Sequence, residues 1–146
     1  MAGSKKDSFE NALLLLIFNN TTITGIGSDG LRGSTTAGSL YIALYSGAPS
    51  DSAAGTEITY TGYVRVAVAR SGAGWTVSGN ACSNTAAVTF GLCTGGTPTA
   101  THFTICKAGT RDVDDAIYWA DLTANLAISN GITPEFAIGD IDVTED

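Results

Sequence analysis

A chain of 146 residues is long enough to bury roughly two-thirds of its unfolded surface in one core. Only 14% of its residues are charged against 44% hydrophobic, with 18 Gly and 32 Ser and Thr; this mixture suits strands and tight turns and argues against long solvated helices. The net charge is −7, and nine of the 14 acids follow Arg111, the last basic residue, a distribution that repels phosphate backbones and argues against nucleic-acid binding.

In chain order, Asp7-Ser8-Phe9-Glu10 places a capping oxygen three residues before a Glu and predicts a helix N-terminus. The helix is expected from Ser8 to about Asn19, where Asn19-Asn20 ends it. Its apolar residues wrap almost all the way round, so most of its faces need cover. The run Ala12–Phe18 after Lys5 and Lys6 is too short and too poorly flanked for a signal peptide or a membrane span, and the protein is expected to be soluble. Residues 21–39 read as a Gly/Ser/Thr-rich arm.

Strands are expected at Leu40–Tyr45, Tyr63–Ala69, Trp75–Val77, Ala86–Phe90, Thr101–Lys107, Ala116–Leu122, Leu126–Ser129, Glu135–Ile138 and Ile141–Val143. Val64, Val66 and Val68 alternate with Arg65, Ala67 and Ala69, which puts the valines on one buried face. Turn clusters such as Ser71-Gly72-Ala73-Gly74 and Gly95-Gly96-Thr97-Pro98 separate the strands. The fold class that follows is mainly β, an antiparallel jelly-roll-like β-sandwich with an N-terminal α-helix and arm. The expected division is residues 1–39 for helix and arm and 40–146 for the sandwich.

Patterns that carry chemistry are weak. Gly25-Ile26-Gly27-Ser28-Asp29-Gly30 fits the dinucleotide-binding glycine spacing, yet the required strand before and helix after it are missing, so it reads as a loop. His102 is the single histidine, and no Gly-x-Ser-x-Gly elbow presents a nucleophile to it; it is expected at a surface or interface. Asp112, Asp114 and Asp115 lack the EF-hand spacing and read as a solvent- or subunit-facing turn, with an opportunistic cation site as the alternative. No acid pair is marked for glycoside cleavage, and Trp75 and Trp119 read as core or interface anchors. Cys82, Cys93 and Cys106 suit small buried hydrophobes rather than a zinc site, a Cys82–Cys93 bridge remaining open. The chain is therefore expected not to be an enzyme and to need no cofactor or metal.

From Leu40 onward the order of motifs carries a resemblance. Leu40-Tyr41-Ile42-Ala43-Leu44-Tyr45-Ser46-Gly47-Ala48-Pro49 is followed by Gly55-Thr56-Glu57 leading to Gly62-Tyr63-Val64-Arg65-Val66-Ala67-Val68, then Trp75-Thr76-Val77-Ser78-Gly79-Asn80. Ser83-Asn84-Thr85-Ala86-Ala87-Val88-Thr89-Phe90, the strand Thr101-His102-Phe103-Thr104-Ile105 and the ending Thr133-Pro134-Glu135-Phe136-Ala137-Ile138-Gly139-Asp140-Ile141-Asp142-Val143 complete it. This order resembles small tailed-bacteriophage virion proteins, described as tail-fibre-like or head-decoration proteins. The resemblance implies a non-catalytic virion component made in the bacterial host cytoplasm.

The leading expectation is a capsid decoration (cement) protein on the outer surface of the icosahedral shell. Its expected partners are the major capsid protein and itself, as a homotrimer, with no nucleic acid and no membrane. The alternative is a tail-fibre or baseplate-associated protein for host-surface recognition, and a glycan-cleaving enzyme is a distant third. The candidate interface residues are Phe9, Leu13, Leu16, Ile17, Phe18, Leu31 and Arg32, chosen for excess apolar surface on the helix and for an arm able to order on binding.

Overall fold

The structure, a computed structural model, describes residues 4–31, 33–111 and 115–146. These form α1 (Asp7–Asn19), β1 (Ser39–Gly47), β2 (Thr56–Glu57), β3 (Val66–Ala69), β4 (Trp75–Ser78), β5 (Ala81–Asn84), β6 (Val88–Thr89), β7 (Thr99–Cys106), β8 (Ala116–Ala127), β9 (Glu135–Phe136) and β10 (Asp142–Thr144). The fold is mainly β with antiparallel sheets and one N-terminal helix, as the composition and strand spacing imply. The chain groups into two compact units: residues 1–39, 69–87 and 136–146 in the first, and 40–68 with 88–135 in the second.

In the first unit, Ser78 pairs with Ala81 across Gly79-Asn80 to make a β4–β5 hairpin, and β10 joins the other side of β5. Gly79 takes φ +61°, the left-handed backbone that such a two-residue turn demands. Helix α1 lies on β4 and β5. Leu14 and Phe18, four apart on one helix face, are fully buried, and the Phe18 ring meets Trp75 edge-on with centroids 4.7 Å apart. Asn84, also buried, ties three segments together. Its Nδ2 donates to the carbonyls of Ala86 and Ala137, and its Oδ1 accepts from the Ile141 amide.

The ends of α1 are held differently from expectation. The capping box does not form: Lys6 is the N-cap with no side-chain cap bond, and Asp7 is already helical. Asp7 and Glu10 instead place negative charge in the first turn, where it complements the helix dipole. The Asn19-Asn20 stop is met, with Asn20 left-handed at φ 57°. Arg70 then closes the exposed carbonyls, Nε donating to Ile17 O at 2.7 Å and Nη2 to Leu16 O at 2.8 Å, while Nη1 reaches Ala37 O. A cation at a helix C-terminus satisfies both the orphan carbonyls and the dipole.

The second unit is built on a sheet ordered β2-β1-β7-β8, with β3 also on β1. Ile42, Ala43, Leu44 and Tyr45 of β1 are all buried, as are Phe103–Cys106 of β7. Both faces of these central strands are covered, which is why β1 reads as an unbroken apolar run from Leu40 to Tyr45. The two strands expected between Ala116 and Ser129 are one long edge strand, β8, with an irregular register between the partners of Asp121 and Leu126. The alternation expected from Val64 to Ala69 holds only from Val66. Val64 is 65% exposed and Arg65 is buried, because β3 begins at Val66 and the preceding residues turn the other way.

Candidate interaction surfaces

Of the five expected contact residues of α1, one is spent within the chain and four keep some surface. Phe18 is fully buried against Trp75 and offers no surface to another subunit; it is a core residue. Phe9, Leu13, Leu16 and Ile17 are partly covered. Between the helix and the start of the arm runs an open cleft of about 350 Å³, lined by Phe9, Ala12, Leu15, Thr22 and Ile23.

The arm is tied down rather than free. Ile23 and Leu31 exchange backbone hydrogen bonds of 2.8 and 2.9 Å, and the Asn20 amide makes two bonds to the Ser34 backbone. The glycine-rich motif is the loop so closed. Its Gly30, at φ +71°, has the Ile23 carbonyl where a Cβ would stand, so backbone approach explains that glycine and a phosphate is not needed to. Leu31 is 40% exposed and Ile26 43%. Arg32 lies outside the described residues, as do Asp112 and Asp114.

Asp115 does not face solvent. Its carboxylate meets the Arg65 guanidinium, and both side chains are buried. Arg65 also grips Glu57 with two parallel bonds of 2.9 Å, from Nε to Oε1 and from Nη2 to Oε2, and Nη1 reaches the Ala108 and Thr110 carbonyls. Tyr63 donates its hydroxyl proton to Glu57 Oε1 at 2.9 Å and accepts from the Leu44 amide. Burial works against charge on Arg65, but the bonds to Glu57 and Asp115 outweigh it and raise its pKa. Burial, with Glu57 adding to it, raises that of Tyr63. This network joins β2, the segment before β3 and the start of β8. Arg65 and Glu57 belong to the strand-and-turn motifs of the resemblance but were not among the candidate site residues.

His102 is held at both ring nitrogens, by Thr101 Oγ1 at 2.6 Å and by Asp121 Oδ1 at 2.7 Å, its cross-strand neighbour. Thr, His and Asp are thus in a row, but the Asp121 side chain is 85% exposed to water. A catalytic triad needs its carboxylate buried to hold the imidazole's orientation, so the row reads as a surface cross-strand contact. The three cysteines are free and buried, leaving no Cys82–Cys93 bridge. Burial pushes the Cys82 thiol up to about 12 and the Cys106 thiol up to about 11. Trp75 is a core residue of the first unit, whereas Trp119 on the edge strand is 39% exposed. Among the described residues no helix is long and apolar enough to cross a membrane.

The family model of the podophage GP4 fiber I protein gp80 matches residues 5–144, nearly the whole chain. The chain belongs to this family. The resemblance to tailed-phage virion proteins, read from the order of strand and turn motifs, therefore holds, and a phage structural role with a virion location goes with it. No curated protein matches the chain.

Proposed function

We propose that the chain is a non-enzymatic component of a podophage fibre that joins virion subunits and contacts the host surface. The single observation that carries this reading is the match to a fibre family across residues 5–144. It replaces capsid decoration as the preferred reading, although the major capsid protein and a homotrimer remain partners to test. The cement reading drew on surplus apolar surface of α1, and Leu14 and Phe18 are consumed inside the first unit. Among the described residues of that unit, Ile138 and the arm's Ile26 and Leu31 are exposed, and Phe9, Leu13, Leu16 and Ile17 are partly covered. The non-enzymatic part of the proposal is supported by His102, engaged at both nitrogens beside a water-exposed carboxylate, and by an ion network whose charges are already paired.

Cryo-electron microscopy of the intact particle, with copies of this chain counted, tests the proposal. Density restricted to fibres at the tail is the expected result. Density repeated over the icosahedral shell overturns it in favour of decoration.

A further inference from the structure

The second unit carries an open cleft of about 310 Å³ between the turn at residues 49–54 and the start of β8. Trp119 forms one wall. It sits opposite Thr104 of β7, and Thr104 opposite Ala43 of β1, so these three side chains share a sheet face. Thr104 and Ala43 are fully buried, but Trp119 stands at the sheet edge and keeps 39% of its surface exposed. That is on the order of 100 Å² of a side chain that ordinarily buries 150–250 Å².

The other wall is polar and held in shape. Ser50 and Ala53 exchange backbone bonds of 2.9 and 3.3 Å, and the Ser52 amide donates to Ser50 Oγ at 3.4 Å. This closed turn leaves the Asp51 carboxylate and the Ser52 hydroxyl at its exposed tip. Among the described residues Asp51 makes no ion pair and no side-chain hydrogen bond. Ala53, Ala54 and Ala116 are the remaining small residues of the cleft and leave room between the walls.

A flat aromatic face set against a free carboxylate and hydroxyls fits a small polyol ring. A pyranose ring has a C–H face that packs on an indole, and hydroxyls that donate to a carboxylate in charge-assisted bonds. A purely apolar ligand would make no use of the Asp51 carboxylate, and an acidic ligand would be repelled by it. The volume lies at the lower end for ligand sites, enough for one ring rather than a chain of them.

The geometry points to a binding site for one uncharged sugar residue of a host-surface glycan, with Trp119 as the stacking platform and Asp51 as the acceptor of ring hydroxyls. This deepens the host-contact reading above and rests on it for the source of the sugar.

The test uses the full chain labelled with ¹⁵N, whose two Trp give two indole N–H signals. Trp75, fully buried, is the internal control for folding and Trp119 is the reporter. Glucose, galactose, mannose, N-acetylglucosamine and glucuronic acid are titrated to tens of millimolar. The expected result is a saturable shift of the Trp119 signal with at least one neutral sugar, a still Trp75 signal and no response to glucuronic acid. Trp119→Ala abolishes that binding, and Asp51→Asn, on an exposed turn, weakens it about tenfold or more. No response to any neutral sugar overturns the site, as does binding that survives both substitutions.

Adsorption of fluorescently labelled protein to host cells is measured in parallel. Adsorption unchanged by both substitutions sinks the cleft and spares the fibre reading. No adsorption by the wild type, with a positive sugar titration, refutes host contact and leaves the cleft standing.

Discussion

Arg65→Ala is expected to be among the most damaging single substitutions in the second unit. The side chain is 2% exposed, and its removal strands two carboxylates that are themselves 6% and 5% exposed, those of Glu57 and Asp115. It also leaves the carbonyls of Ala108 and Thr110 without this donor. Removing one partner of a buried ion pair costs about 3–5 kcal/mol, because the other charge stays desolvated, and total stabilities run at about 5–15 kcal/mol. With a urea dependence of about 2 kcal/mol per molar, a loss of 4 kcal/mol lowers the unfolding midpoint by about 2 M. Urea titrations followed by circular dichroism measure this, and repeating them in about 0.5 M salt should change the loss little, since buried pairs are weakly screened. Arg65→Lys keeps the charge but loses the fork on Glu57, and should fall between wild type and Ala. A loss below about 1 kcal/mol for Arg65→Ala, the value of an exposed ion pair, would refute the claim that this network is sealed from water.

Phe18→Ala empties a fully buried site beside Trp75 and should cost about 3–5 kcal/mol, measured by the same unfolding titration; a negligible cost would return Phe18 to the surface. Arg70→Ala should fray the last turn of α1 by freeing the Leu16 and Ile17 carbonyls, costing about 1–3 kcal/mol and speeding amide exchange at Asn20 and Thr21. Gly62→Ala forces a side chain at φ +103° into the Leu92 carbonyl and should destabilise by at least about 1–3 kcal/mol in the same titration. Cys82 and Cys106 stay protonated in the folded protein at pH 8 and should resist thiol reagents until urea unfolds the chain. Their folded pKa values lie above the ordinary value of 9.0, at about 12 and about 11, so the folded state holds these protons more tightly. Their contribution to stability is complete below pH 9 and is lost as pH rises towards 11–12.

The inner strands were legible because both their faces are covered. The apolar run Leu40–Tyr45 and the stretch after Thr101 announce β1 and β7 whatever their neighbours do. The hairpin strand β5 was missed because Ala81-Cys82-Ser83-Asn84 is polar and short, although Gly79-Asn80 is a two-residue turn signal that pointed to it. The two-residue β2 has no period to read. Arg65 was placed on the wrong face because a charge in an alternating stretch is assigned to solvent by default. What reverses it are Glu57, eight residues before it, and Asp115, fifty after it, and such a meeting is fixed by topology rather than by spacing. Asp115 was misplaced for the same reason. In α1 the apolar wrap was read correctly as needing cover, but whether its own chain or a neighbour supplies that cover depends on β4 and β5, which the helix sequence does not encode. The virion family was legible because a long order of turn and strand motifs survives where no single motif is informative.

The first unit gathers residues 1–39, 69–87 and 136–146, and this scatter sets an order of events as the protein is made. The helix leaves the ribosome before its own cover: Trp75, the partner of Phe18, follows 57 residues later. At about 5–20 residues per second, Phe18 and Leu14 wait on the order of 3–11 s for their hairpin. The strand β10 follows β5 only after a further 58 residues. During that interval an apolar helix with nothing to lie on is open to chaperones, or to the nascent helix on the next ribosome of the same message. Yield of folded protein should therefore depend on translation speed across residues 20–75.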